Sequence, residues 1–148
     1  MSLVFKILAV TGPAMFAGIM LAISIILGGY WQTLPPEAVL DWFAQHDWRM
    51  PRAMELIGVP ALIGLGGMLI LDWKNAAARK FWLGAVACVL LLFALTIIWV
   101  LPGTAALADR SIPVDQVAGA LDTWLLIHHA RVALALMACV LGFCAVSR

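Results

Sequence analysis

Apolar residues run in four long blocks along the chain, with polar residues clustered between them. Each block reaches the roughly 20 residues that a helix needs to cross the hydrocarbon of a bilayer. The blocks predict membrane-spanning helices over about 3–30, 53–71, 81–101 and 124–146. Pro13, Pro60, Gly64, Gly66 and Gly67 lie inside them. In lipid such residues are tolerated, because neighbouring helices answer the freed backbone groups. Pro60 predicts a kink. Residues 1–148 read as a single domain with an all-α fold, a four-helix transmembrane bundle running up-down-up-down.

The connections are unequal. Asp72–Lys80 is short and carries Lys74, Arg79 and Lys80. Trp31–Arg52 and Pro102–Thr123 are longer, and in a four-span bundle they fall on the same side. In the first, Leu34-Pro35-Pro36-Glu37 has the prolines of a helix's first turn, with Thr33 as its cap. Val39, Trp42, Phe43 and His46 then share a face, which predicts a short amphipathic helix lying in the interface. In the second, Ser111-Ile112-Pro113 opens a helix that meets no breaker through Gly119 and runs into the fourth span. Such a helix has about 34 residues and a length of roughly 50 Å, so its first part must tilt or project.

Composition agrees with the pattern. The chain is 65% hydrophobic and 11% charged, against roughly half and a quarter in a soluble domain. A net charge of +1 predicts no nucleic-acid partner; the bilayer is the partner that composition demands. Cys88, Cys139 and Cys144 sit in apolar runs and read as small hydrophobes rather than a disulfide framework. Lys6 precedes an apolar block too long for a signal peptide, so the first span reads as retained. The long-loop side sets Arg49, Arg52, Arg110 and Arg131 against a larger set of acids: Glu37, Asp41, Asp47, Glu55, Asp109, Asp115 and Asp122. The other side sets Lys6, Lys74, Arg79, Lys80 and Arg148 against Asp72 alone. The positive-inside rule then places both termini in the cytoplasm of a bacterial-type inner (plasma) membrane, with the long loops outside.

The chemistry-bearing segment is Asp122-Thr-Trp124-Leu-Leu-Ile-His128-His129-Ala-Arg131. Trp124, His128 and Arg131 fall at i, i+4 and i+7, one face of one helix. Counting back from Val146 puts the two histidines at the outer edge of the hydrocarbon and Arg131 about one turn inside. An arginine there costs several kcal/mol unless it snorkels, pairs or faces a polar cavity. Two readings stay open. In one, Arg131 pairs with Glu55 or Asp122 and holds the bundle together. In the other, His128 and Arg131 are catalytic, Trp124, His129 and Trp99 contact substrate, and Glu55, Asp122 and His46 stand behind them. His46, one of the adjacent histidines and Glu55 also make a nitrogen and oxygen metal set. Neighbouring histidines point to different helix faces and no His-x₃-His spacing is present, so the metal and cofactor stay unknown. Haem between histidines is a further alternative. Trp31, Trp42, Trp48, Trp99 and Trp124 on the outer side, with Trp73 and Trp82 on the inner side, read as aromatic belts. Trp124 has the alternative of walling a pocket for a flat lipophilic ligand. Small residues at four-spacing (Ala14, Gly18, Ala22; Ala138, Gly142) suit close helix packing or a homo-oligomer face.

The Trp-x₃-His-His-x-Arg run resembles the last helix of the anthrone-oxygenase-like family of small four-span membrane proteins, mostly known as a domain of unknown function. Ala17-Gly18, the Leu34-Pro35 loop and the Leu101-Pro102 step extend the likeness over most of the chain. Gly103 departs from it, since members often carry Asn there. The resemblance implies oxygenation of a lipophilic aromatic such as an anthrone, without a conventional organic cofactor. In that chemistry His128 would accept a proton and Arg131 would stabilise an enolate-like oxyanion. Three functions follow: a cofactor-independent or metal-assisted oxygenase or redox enzyme on a lipophilic aromatic or quinone-like substrate; a non-catalytic subunit docked by its outer loops on a larger membrane complex; and a haem or metal carrier.

Overall fold

A computed structural model describes the backbone of residues 2–148, and the side chains of all of these except 2 and 50–53. Arg52, counted above on the long-loop side, and Ala53, the expected start of the second span, thus have side chains outside the described residues. No strand occurs among the described residues. Four helices are long and apolar enough to cross a membrane: Leu3–Trp31, Met54–Leu71, Ala76–Ala108 and Val114–Val146. These are the first to fourth spans below.

The first and third spans share an irregularity. The first passes from α-helix Ser2–Ala22 through a π-turn at Ile23–Gly28 to a last α-turn, Gly29–Trp31. The third passes from Ala76–Leu95 through a π-turn at Thr96–Val100 to Leu101–Ala108. The third span is longer at both ends than hydropathy suggests. Asn75 caps its start, its side-chain oxygen accepting from the N–H groups of Ala77 and Ala78 at 3.1 and 3.3 Å. At the other end Pro102 has no N–H to offer an α-helical ladder. The π-turn before it closes with Leu101 N–H on the Thr96 carbonyl, and the helix continues to Ala108. The first part of the expected loop over 102–123 is therefore helical. Arg110, with φ 53°, takes the left-handed backbone found just past helix ends. The long helix expected after Pro113 forms, as a 3₁₀ turn Val114–Gln116 followed by Val117–Val146, and Gly119 does not break it.

The loop helix covers Pro36–His46. Thr33 does not cap it. Its hydroxyl instead donates to the Tyr30 carbonyl at 2.7 Å, closing the end of the first span. Val39, Leu40 and Phe43 are buried against the third and fourth spans. Asp41 pairs with Arg110 across this contact. The loop helix thus closes one end of the bundle with its aromatic face, and this corrects the belt reading. Trp31 (0% exposed) and Trp124 (5%) are core residues there. Trp82, also 0% exposed, donates its indole N–H to Asp72 at 2.9 Å at the opposite end. Trp48, Trp73 and Trp99 remain more than half exposed, as belt residues do.

The first span packs on the second and fourth, and the fourth packs on the third. The second and third touch each other far less than they touch these other neighbours. The closest approach is between the first two spans. A Cβ added to Gly64 would lie 2.3 Å from the Ala9 nitrogen, and one on Gly12 would lie 2.6 Å from the Ala61 Cα. Backbones meet there with no side chain between, which in lipid is how helices gain packing. Ala14, Gly18 and Ala22 face outward, and a Cβ on Gly18 meets nothing within 4 Å. Gly64→Ala is therefore expected to lower stability by about 1–3 kcal/mol through overpacking, read as a fall in the thermal midpoint in detergent. Gly18→Ala, in open space, leaves that midpoint unchanged or slightly raised.

Candidate functional site

The fourth span turns one face inward over its first half. Trp124, His128 and Arg131 lie on it, and the last two are only 2% and 4% exposed. The helical spacing accounts for this, since residues seven apart return to the same face after two turns. Asp122 and His129 lie off that face and are exposed. The Trp124 and His128 rings stack, with centroids 4.9 Å apart and planes inclined by 11°. Trp124 donates its indole N–H to the Thr104 hydroxyl at 2.9 Å. Gly103 lies against the same ring, and a Cβ there would sit 3.3 Å from Trp124 Cδ1. Gly103 thus makes room for the tryptophan.

The partners of His128 fix its protonation. Nε2 lies 2.9 Å from the Met20 carbonyl, which can only accept. Nδ1 lies 3.3 Å from Arg131 Nη1, which can only donate. One nitrogen must therefore carry a hydrogen and the other a lone pair, which is the neutral Nε2–H tautomer. Met20 comes just before the π-turn of the first span, so that span supplies the anchor for the ring.

Arg131 has no counterion among the described residues. Among the described residues the ion pair is Arg110 with Asp41, and no carboxylate reaches Arg131. Asp122 receives Gln32 instead, at 3.5 Å. Glu55 is exposed. The Nε–H of Arg131 is buried without a partner among the described residues. The pairing with Glu55 or Asp122 expected of a bundle-holding arginine is not what the side chains do.

The guanidinium lines a pocket of about 330 Å³, within the ~300–1,000 Å³ of small-molecule sites. Phe16, Phe93 and Trp124 form walls, and Thr96 and Thr104 add hydroxyls. Both π-turns contribute, Ile23 from the first and Thr96, Ile97 and Val100 from the second. Single π-turns within helices often mark functional sites. Asp47 and Glu55 also line it, near the start of the second span. Further along that span Val59 and Leu62 line it, as do Ile97 and Leu101 of the third span.

The other expected site residues are dispersed. His46 donates from Nδ1 to the Trp42 carbonyl at 2.9 Å and stacks on Trp42. Rings stand between it and His128, one row running from Trp42 to Trp31 at 4.8 Å and from Trp31 to Trp124 at 5.5 Å. His129 and Trp99 are exposed and do not line the pocket. Among the described residues no group of three His, Cys, Asp or Glu side chains could hold a metal ion. Thr104, Asp47 and the Met20 carbonyl were not foreseen. A lone threonine at the start of an expected loop is a faint signal, and a backbone carbonyl leaves none in a sequence.

The arrangement defines an all-helical bundle with four membrane-length spans and a pocket holding an uncompensated arginine. No protein-family model, curated protein or solved structure matches the chain.

His128→Leu removes the partners of both the Met20 carbonyl and Arg131. Each group left unanswered costs about 1–3 kcal/mol, so a clear drop in the thermal midpoint is expected. His129→Leu, on the exposed face, stays within about 0.5 kcal/mol of the parent. Equal effects of the two would contradict the assigned contacts.

Proposed function

We propose that this protein is a small multi-pass membrane enzyme of the oxygenase or redox class, acting on a flat lipophilic aromatic or quinone-like substrate. Its spans alternate up and down with both termini cytoplasmic, and the pocket opens in the outer half of a bacterial-type inner membrane. The observation that carries the reading is Arg131: buried, without a carboxylate, and facing an apolar pocket large enough for a fused-ring molecule. A buried cation is costly to leave unanswered. An oxyanion that develops on a substrate would answer it, and preorganised charge of this kind is the largest single contribution in many enzymes. The motif likeness to anthrone-oxygenase-like proteins points the same way.

In this reading Arg131 stabilises an enolate or phenolate oxygen and makes the ring electron-rich toward O₂. His128 holds the guanidinium, its Nδ1 lone pair accepting from Arg131 Nη1. Trp124 offers its face to the substrate ring. Glu55 and Asp47 stand in the same pocket as groups that pass a proton onward. The accessory-subunit and haem or metal readings have no comparable observation behind them. A visible spectrum with elemental analysis of the purified protein tests the latter. Solution behaviour alone tests the former, since a monodisperse, stable protein argues against an obligate subunit.

Oxygen uptake by the purified protein with an anthrone or hydroquinone substrate tests the enzyme reading. Uptake matching substrate oxidation is expected. Arg131→Gln should reduce it about 10²–10³-fold, the usual cost of losing one oxyanion donor. The absence of uptake with all such substrates overturns the assignment.

A further inference from the structure

We infer that the pocket takes its ligand already as a mono-anion: a lipophilic molecule with one oxyanion seated on Arg131 and its hydrocarbon body directed at the gap between the second and third spans. This rests on the pocket being a ligand site, as proposed above. It adds the charge, the orientation and the route of entry.

The charge follows from the count of neighbours. Arg131 brings one positive charge, and its Nε–H has no partner. His128 adds none, because its two contacts require the neutral ring. Asp47 and Glu55 line the same pocket, but among the described residues neither forms an ion pair with Arg131, so the inner end of the pocket takes one further negative charge. A planar guanidinium matches an oxyanion better than a neutral carbonyl, since charge-assisted hydrogen bonds are the stronger ones.

The body follows from the walls. Beyond the arginine the pocket is bounded mainly by Phe16, Phe93, Val59, Leu62 and Ile97. These offer no partner to a polar group, and Thr96 and Thr104 add two hydroxyls among them, so the bulk of the ligand is hydrocarbon or aromatic.

The route follows from the remaining charges. Asp47 and Glu55 line the pocket near the start of the second span and repel an anion arriving from that side. Val59 and Leu62 follow Glu55 at i+4 and i+7 along the helix. They and Ile97 and Leu101 are 43–64% exposed, where the two spans touch least. An anion with a lipophilic body can pass between them from the bilayer without meeting the carboxylates.

A matched pair of probes tests this by calorimetry in detergent. 2-Hydroxy-1,4-naphthoquinone is an anion at neutral pH, and 2-methyl-1,4-naphthoquinone is a neutral ring of nearly equal size. The hydroxyquinone is expected to bind about 10- to 100-fold tighter, the worth of a charged hydrogen bond. Arg131→Gln abolishes that preference and Arg131→Lys retains part of it. Should Arg131→Gln fail to fold, acidifying the parent protein until the hydroxyquinone is protonated must remove the preference. Leu62→Trp, at the gap, weakens both probes alike. Equal binding of the two probes overturns the anion inference and leaves the pocket reading standing. A preference that survives in folded Arg131→Gln also overturns it. Failure of both probes to bind overturns the pocket reading itself. Displacement of the hydroxyquinone by a long-chain fatty acid, but not by the matching alcohol, supports the inference with a membrane lipid as the source of the anion. Preference for the hydroxyquinone without such displacement supports it with a flat aromatic as the source.

Discussion

A guanidinium buried away from water and carboxylates is the constraint around which one end of this bundle is arranged. A charge in that setting needs its donors answered from within the fold. One answer comes from His128, while the Nε–H has no partner among the described residues. His128 can receive Arg131 only because its other nitrogen is held by Met20 of the first span. The ring is fixed from its face by Trp124. Trp124 in turn is held by Thr104 and by the space at Gly103. Contacts from the first, third and fourth spans therefore converge on the orientation of one cation.

The irregular helices belong to the same arrangement. Each of the two π-turns widens its helix by one residue at the depth of the pocket. On the third span this also lets the helix pass Pro102 and carry Thr104 to the tryptophan. The loop helix completes the site from the end. It presses Phe43 and Trp42 onto Trp31, which meets Trp124 edge-on at 81°. Such aromatic contacts are directional, so the lid of the bundle also bears on the ring that holds His128.

At the other end the balance differs. There the first two spans meet backbone to backbone at Gly64 and Gly12, and Trp82 is tied to Asp72. That end is tightly packed, and Asp72 and Arg79 have hydrogen-bond partners there. The second and third spans, by contrast, are held loosely to each other. Close packing on one side contrasts with sparse contact on the other, where residues of both spans line the pocket that holds the arginine.

The apolar blocks by themselves determined the four spans, because only a helix satisfies its own backbone over bilayer length without water. The 3.6-residue period likewise determined that Trp124, His128 and Arg131 share a face, and the unbroken run after Pro113 determined the long fourth helix. Burial of the tryptophans was not legible, since composition does not separate an interfacial belt residue from one folded under a loop helix. The extension of the third span past Pro102 needed a π-turn that no residue type announces. Only the tertiary structure decided that Glu55 and Asp122 stand apart from Arg131, that His46 is three tryptophan rings away from His128, and that Met20 offers its carbonyl. Those are facts of distance between helices, and a sequence read along one chain sets direction around a helix but not the gap across to its neighbour.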